Sequence, residues 1–167
     1  DGIALCPEAN YSANIEKVDL HPPTGNRPAA SAKLEEIDTP GKHTIKNLCS
    51  FLSIQPNQTV KTLLVDGVDG APIALLLRGD HQLNVLKAER LDEVVKPLRM
   101  TSPETIRRVT GTEPGTVGPV GLDLVVIADH AALCLADFVC GANSTNRHLQ
   151  HVNWGRDLPE ARSADLR

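Results

Sequence analysis

The chain has 167 residues, of which 41% are hydrophobic and 23% charged, with a net charge of −4. That is enough apolar material for one domain with its own core, and too much for a disordered chain. The negative balance and an aromatic content of 2% argue against a free-standing nucleic-acid binder built on a basic surface or on base stacking. No apolar run reaches the roughly 20 residues needed to span a bilayer, and there is no signal-peptide pattern. The four cysteines, Cys6, Cys49, Cys134 and Cys140, form no CxxC pair and read as reduced thiols in a cytoplasmic setting. The chain starts at Asp1 and its only methionine is Met100, which reads as a piece excised from a longer protein.

Tyr11 to Val18 fits a short strand or a short helix. His21 to Ala32 is rich in Pro and small residues and reads as a linker, with the body starting after it. Leu34 to Pro40 is predicted to be extended. Thr44 to Leu52 is predicted to be a helix, because Ile45, Leu48, Cys49 and Leu52 recur at helical spacing. Thr59 to Gly67 is the clearest strand. Its adjacent apolar residues predict a central position, and Asp66-Gly67 ends it with turn chemistry. The loop to Ala71 reads as a hairpin connection to a partner strand, Pro72 to Arg78. A helix is predicted over Gln82 to Leu91. Another runs from Thr101, as a capping hydroxyl, to about Val109. After the Gly-rich stretch Gly111 to Gly121, Leu124 to Ala128 is a third buried strand. Ala131 to Leu135 fits a short helix, and Asp137 to Cys140 and Leu149 to Asn153 are short strands. The alternation predicts an α/β layered fold with a mixed sheet.

Several residues allow two uses. Lys61 shares a face with Leu63 and Val65, so it either snorkels to water or serves a site. The glycines at 111, 115, 118 and 121 can bring backbone N–H groups to a ligand, or can simply form a connection. Asp129 ends an apolar strand, where α/β folds place working residues and where helix caps also fall. Cys140 with His148 forms a conceivable nucleophilic pair, although free cysteines usually behave as small buried hydrophobes. The spacings of His148 with His151 and of Cys134 with Cys140 match no usual structural zinc site, so no metal is expected.

Five stretches together carry a resemblance. They are Thr59 to Val65, Leu76 to Asn84, Gly115 to Gly121, and Asp137 to Asn143 with Val152 to Asp157. In order and spacing they resemble the insertion (editing) domain of bacterial prolyl-tRNA synthetase, within the YbaK-like aminoacyl-tRNA deacylase superfamily. The resemblance implies a mostly antiparallel mixed central sheet with flanking helices. It also implies three divisions: 1–33 as N-terminal junction and Pro-rich linker, 34–155 as the editing domain, and 156–167 as a C-terminal junction. The implied activity is hydrolysis of alanine from mischarged alanyl-tRNA(Pro), with no cofactor and no covalent nucleophile. The implied partners are the tRNA(Pro) 3′ end and the catalytic domain of a parent synthetase, itself a homodimer. A non-catalytic module that docks the tRNA end is the alternative.

Residue by residue, Lys61 matches the family's lysine, expected to hold a phosphate near the terminal adenosine. Asp129 and His148 match the two other polar positions needed for activity, with His148 shaping the small pocket. Ile45, Leu48 and Thr59 match the pocket walls. Gly115, Thr116, Val117, Gly118 and Pro119 match the GxxxP loop, whose amides are expected to stabilise the oxyanion. Two departures stand out: His130 occupies the position after Asp129 where the family has arginine, and Ser144 to Arg147 replace an Asp-Gly turn.

Overall fold

The computed structural model describes residues 2–9 and 11–167. Its N-terminal stretch forms an antiparallel hairpin of β1, Ile3–Cys6, and β2, Tyr11–Asn14. The next strand is β3, Glu35–Asp38, and helix α1, Ile45–Leu52, follows it. Thr44 caps that helix, its hydroxyl accepting from the Asn47 amide.

The four-stranded sheet grows from the predicted hairpin. Strand β4, Val60–Asp66, pairs antiparallel with β5, Pro72–Arg78, in unbroken register from Val60↔Arg78 to Asp66↔Pro72. Strands β6, Val125–Asp129, and β9, Arg162–Ala164, continue the sheet in parallel, giving the order β4-β5-β6-β9. The predicted central position of β4 is therefore corrected: it ends the sheet order, and β5 and β6 are the inner strands. Ile73 to Leu77 of β5 are buried on both faces, which the unbroken run Ile-Ala-Leu-Leu-Leu demands. The far edge of β4 is covered by irregular chain. The Thr101 amide donates to the Leu64 carbonyl at 2.9 Å, and the Asp66 amide to the Arg99 carbonyl at 2.9 Å.

A second, three-stranded antiparallel sheet has the order β3-β8-β7, with β7 at Phe138–Gly141 and β8 at Arg147–Val152. A parallel bridge between Thr59 and Val139 joins the start of β4 to β7, so the two sheets meet at a corner. The core beneath is aliphatic, with Val60, Leu76, Leu149 and Val152 packed around Phe138 and Trp154. The two rings lie 5.6 Å apart in a tilted pair, and the indole N–H reaches the Ala132 carbonyl.

Three further helices flank the sheets. Helix α2 is only Val85–Ala88, capped by Asn84, so the predicted helix over Gln82 to Leu91 contracts to one turn. Helix α3, Pro103–Thr110, is capped by Ser102 rather than Thr101. Proline favours the first helical position, which makes the residue just before it the cap. Helix α4 is His130–Leu133. Strand β9 and the fully buried Leu166 add a C-terminal element the sequence reading did not contain. Among the described residues no helix is long and apolar enough to cross a membrane.

Candidate active site

A cavity of about 210 Å³ opens at the corner where the two sheets meet. It is smaller than the roughly 300–1,000 Å³ of drug-sized ligand sites, so it suits a small group. Helix α1 forms one wall with Ile45 and Leu48. Strand β4 supplies Val60, Lys61, Thr62 and Leu63. The loop between α3 and β6 supplies Gly115 and Val117. Strands β7 and β8 close the back with Val139, Cys140, Gly141 and His148, and His43 and Thr44 stand before α1. The walls are mainly apolar, with Lys61, His148, His43 and the Cys140 thiol as the titratable groups.

His148 is rigidly placed. It sits on the middle strand of its sheet, paired with Ile37 of β3 and Gly141 of β7. Its Nδ1 lies 2.6 Å from the hydroxyl of Thr39, which is fully buried. Burial, reinforced by the nearby charge of His43, pushes its pKa down to about 4. The ring is therefore neutral at pH 7, offering one N–H and one lone pair. Thr39 engages one ring nitrogen, and among the described residues Nε2 has no protein partner.

Lys61 is half-buried, and its ammonium donates to the His81 carbonyl. Burial lowers its pKa, and the Asp80 carboxylate opposes that shift. The contact anchors the lysine through one of its three donors and leaves the others for a ligand. The acceptor segment is itself fixed. Arg78 forks onto Asp80 at 2.7 and 2.9 Å, and its guanidinium also meets His81 Nε2 at 2.9 Å.

The Gly-rich loop is held against β7 by a close backbone crossing. A Cβ on Gly118 would lie 1.7 Å from the Gly141 carbonyl oxygen, so the crossing admits no side chain there. Asn143 locks this crossing. Its Oδ1 accepts from the Gly118 amide at 2.8 Å, and its Nδ2 donates to the Gly118 and Val120 carbonyls at 2.9 and 3.1 Å. Its own amide donates to the Thr116 carbonyl at 2.9 Å. The loop's amides differ in whether they are engaged. The Thr116 amide is used by Glu113 and the Gly118 amide by Asn143, while Pro119 has none. Among the described residues, the amides of Gly115 and Val117 have no acceptor, and both residues line the cavity.

The remaining expected site residues lie elsewhere. Asp129, 1% exposed, does not line the cavity. Its carboxylate caps α4 by accepting from the Ala131 amide, and it also accepts from the Leu166 amide, both at 3.0 Å. Arg167 approaches it at 3.7 Å. Thr59 is fully buried and donates to the Pro56 carbonyl at 2.8 Å, so it supports the corner from behind the wall. Thr116 turns inward to Thr112 and the Glu113 carbonyl, and Pro119 borders a different hollow with Leu158 and Val126. Cys140 lies at the cavity's back, but burial pushes its thiol up, which suppresses the thiolate a nucleophile needs.

Three contributors were not singled out from the sequence: Thr39, His43 and Asn143. Thr39 and His43 flank a Pro-Gly turn that reads only as a loop. Asn143 lay within a quoted motif and adopts φ +52°, a conformation asparagine tolerates better than most residues.

The fold and cavity place the chain in a known class. It belongs to the aminoacyl-tRNA editing domain family, whose model matches residues 39–158. Among curated relatives it is similar to the proline–tRNA ligase of Chromobacterium violaceum, 44% identical over all 167 residues. The chain spans 29% of that ligase's length. Among solved structures it is similar to one described as "a putative trans-editing enzyme for prolyl tRNA synthetase", with TM-score 0.65 and 26% identity, covering 80% of this chain and 86% of that one. A hypothetical protein of TM-score 0.67 and 24% identity, covering 80% of this chain and 91% of its own, shares the fold.

Proposed function

We propose that this domain hydrolyses the ester of alanyl-tRNA(Pro), acting as the editing module of a prolyl-tRNA synthetase. The observation that supports the reading is that Lys61, His148, Gly115 and Val117 all line one small, mainly apolar cavity, in a chain of the editing family. The need is physical. A synthetic site sized for proline rejects a smaller side chain only weakly, because each missing methylene is worth about 1–3 kcal/mol. A second, smaller pocket supplies the rest of the discrimination.

In this reading the alanine methyl enters between Ile45 and Leu48, and the ester carbonyl oxygen points at the Gly115 and Val117 amides. Lys61 binds a phosphate next to the terminal adenosine. Neutral His148 orients the ester or the attacking water through Nε2. Water adds to the carbonyl carbon, with the substrate's ribose hydroxyl assisting, and the two amides stabilise the oxyanion. Collapse breaks the bond between the carbonyl carbon and the ribose oxygen. That oxygen takes up a proton, and alanine leaves as the free acid. Asp129 serves this site from a distance, by fixing the end of β6, α4 and the C-terminal segment.

The test is release of amino acid from alanyl- and prolyl-tRNA(Pro) by the chain. Rapid loss of alanine with proline retained supports the reading. Tight binding of charged tRNA with no release of alanine favours the non-catalytic docking module.

A further inference from the structure

The flank of α1 beside the cavity carries a feature that ester hydrolysis leaves unused. Thr44 and Leu48 line the cavity. Phe51 lies three residues beyond Leu48 and seven beyond Thr44, on the same flank of the helix. It is 50% exposed, whereas Phe138 is fully buried and Trp154 nearly so. Single exposed apolar residues are ordinary, but this one has company. The ammonium of Lys42 lies over its ring, 5.4 Å from the centroid. Like every lysine but Lys87, Lys42 has no carboxylate partner among the described residues, so its charge is left for the ring and for a ligand. An exposed ring, an uncompensated cation and a neighbouring cavity thus share one helix flank, in a domain whose net charge is −4. So acidic a domain must hold a polyanion by a few local contacts rather than by a broad field.

We propose that Phe51 and Lys42 form a nucleotide platform for the single-stranded 3′ end of the RNA substrate. A base next to the esterified nucleoside stacks on the ring, and the ammonium meets its phosphodiester. Lys61 and Lys42 then both hold the strand, and the ester is drawn into the cavity. The proposal rests on the deacylase reading above and adds to it the partner's second contact.

The test is an NMR titration of the 15N-labelled chain with a single-stranded RNA hexamer ending in CCA. Saturable shifts are expected at Lys42, Thr44 and Phe51. Both Phe51→Ala and Phe51→Leu should weaken binding by roughly fivefold or more, the effect of losing one stacked base. Phe51→Trp should restore it. Because leucine keeps the apolar bulk, a purely structural role would leave Phe51→Leu unaffected. Lys42→Gln should reduce the salt-dependence slope by about 0.7, the share of one phosphate contact on a single strand. Binding unchanged within twofold in both Phe51 variants, or no saturable binding by the wild type, overturns the platform.

Steady-state hydrolysis of alanyl-tRNA(Pro) separates the two readings. Phe51→Leu is expected to raise KM with kcat unchanged. Hydrolysis with an unmoved KM removes the platform and leaves the deacylase. RNA binding at Phe51 without hydrolysis of any aminoacyl-tRNA removes the deacylase and leaves the platform.

Discussion

Asn143→Ala is the sharpest probe of how the site is held. The side chain makes three hydrogen bonds across the loop crossing, at 2.8, 2.9 and 3.1 Å. At about 0.5–1.5 kcal/mol net for each, their loss costs about 1.5–4.5 kcal/mol. Alanine at φ +52° adds roughly 1 kcal/mol of backbone strain. The sum, on the order of 3–5 kcal/mol, predicts a fall in Tm of roughly 6–20 °C for a chain of this size. Asn143→Gly removes the bonds without the strain, so it should recover about 1 kcal/mol of that loss. The functional effect should exceed the loss of fold. A loop displaced by about 1 Å misplaces the Gly115 and Val117 amides, and such errors cost about 100-fold in rate. The checks are thermal unfolding and single-turnover deacylation, the latter well below the variant's Tm. A Tm drop under about 3 °C with kcat within twofold of wild type refutes the clamp. A large Tm drop with unchanged kcat keeps the clamp but removes the two amides from the chemistry.

Other perturbations test separate parts of the structure. His148 has its pKa lowered from the ordinary 6.5 to about 4, so the unfolded chain binds the extra proton in that window. Stability should therefore fall as pH drops from 6.5 to 4, by up to about 3 kcal/mol from this residue. His148→Phe should flatten that part of a pH-dependent urea-unfolding series, and an unchanged slope would contradict the assignment. Gly118→Ala places a Cβ 1.7 Å from a backbone oxygen that cannot swing aside, so little folded protein should be recovered, as circular dichroism would show. Asp129→Ala strips the acceptor from two buried amides, with an expected loss of about 2–4 kcal/mol in denaturant unfolding. If the fold keeps its stability while deacylation collapses, Asp129 acts at the reacting atoms rather than through the framework.

Much of this architecture was legible in the sequence because it rests on local signals. The β4–β5 hairpin follows from two apolar runs around Asp66-Gly67. Helix α1 follows from a capping threonine and four apolar residues at helical spacing. The cap of α3 could have been read correctly, since Pro103 points to Ser102. What was not legible depends on partners distant in the chain. Whether β4 is inner or outer is decided by which strands join the sheet, not by its own residues. Strand β9 is Arg-Ser-Ala, with no apolar signal to find it by. Within the site, Lys61, His148, Ile45 and Leu48 were named from motifs, and the structure brings all four to one cavity. The sequence could not divide the Gly-rich loop into engaged and unengaged amides, because Asn143, which decides it, lies 25 residues from Gly118. Nor could it separate a carboxylate that lines a cavity from one that caps a buried helix, which is where Asp129 stands.

The central claim is that this cavity removes alanine from tRNA, with Lys61 holding the strand. Single-turnover hydrolysis of alanyl-tRNA(Pro) by the wild type and by Lys61→Met, which keeps the aliphatic stem, tests it most directly. The account predicts that wild type releases alanine and spares proline, and that Lys61→Met loses roughly 10- to 150-fold, the worth of one charge-assisted contact. Equal rates for wild type and Lys61→Met, or equal release of alanine and proline, would contradict it.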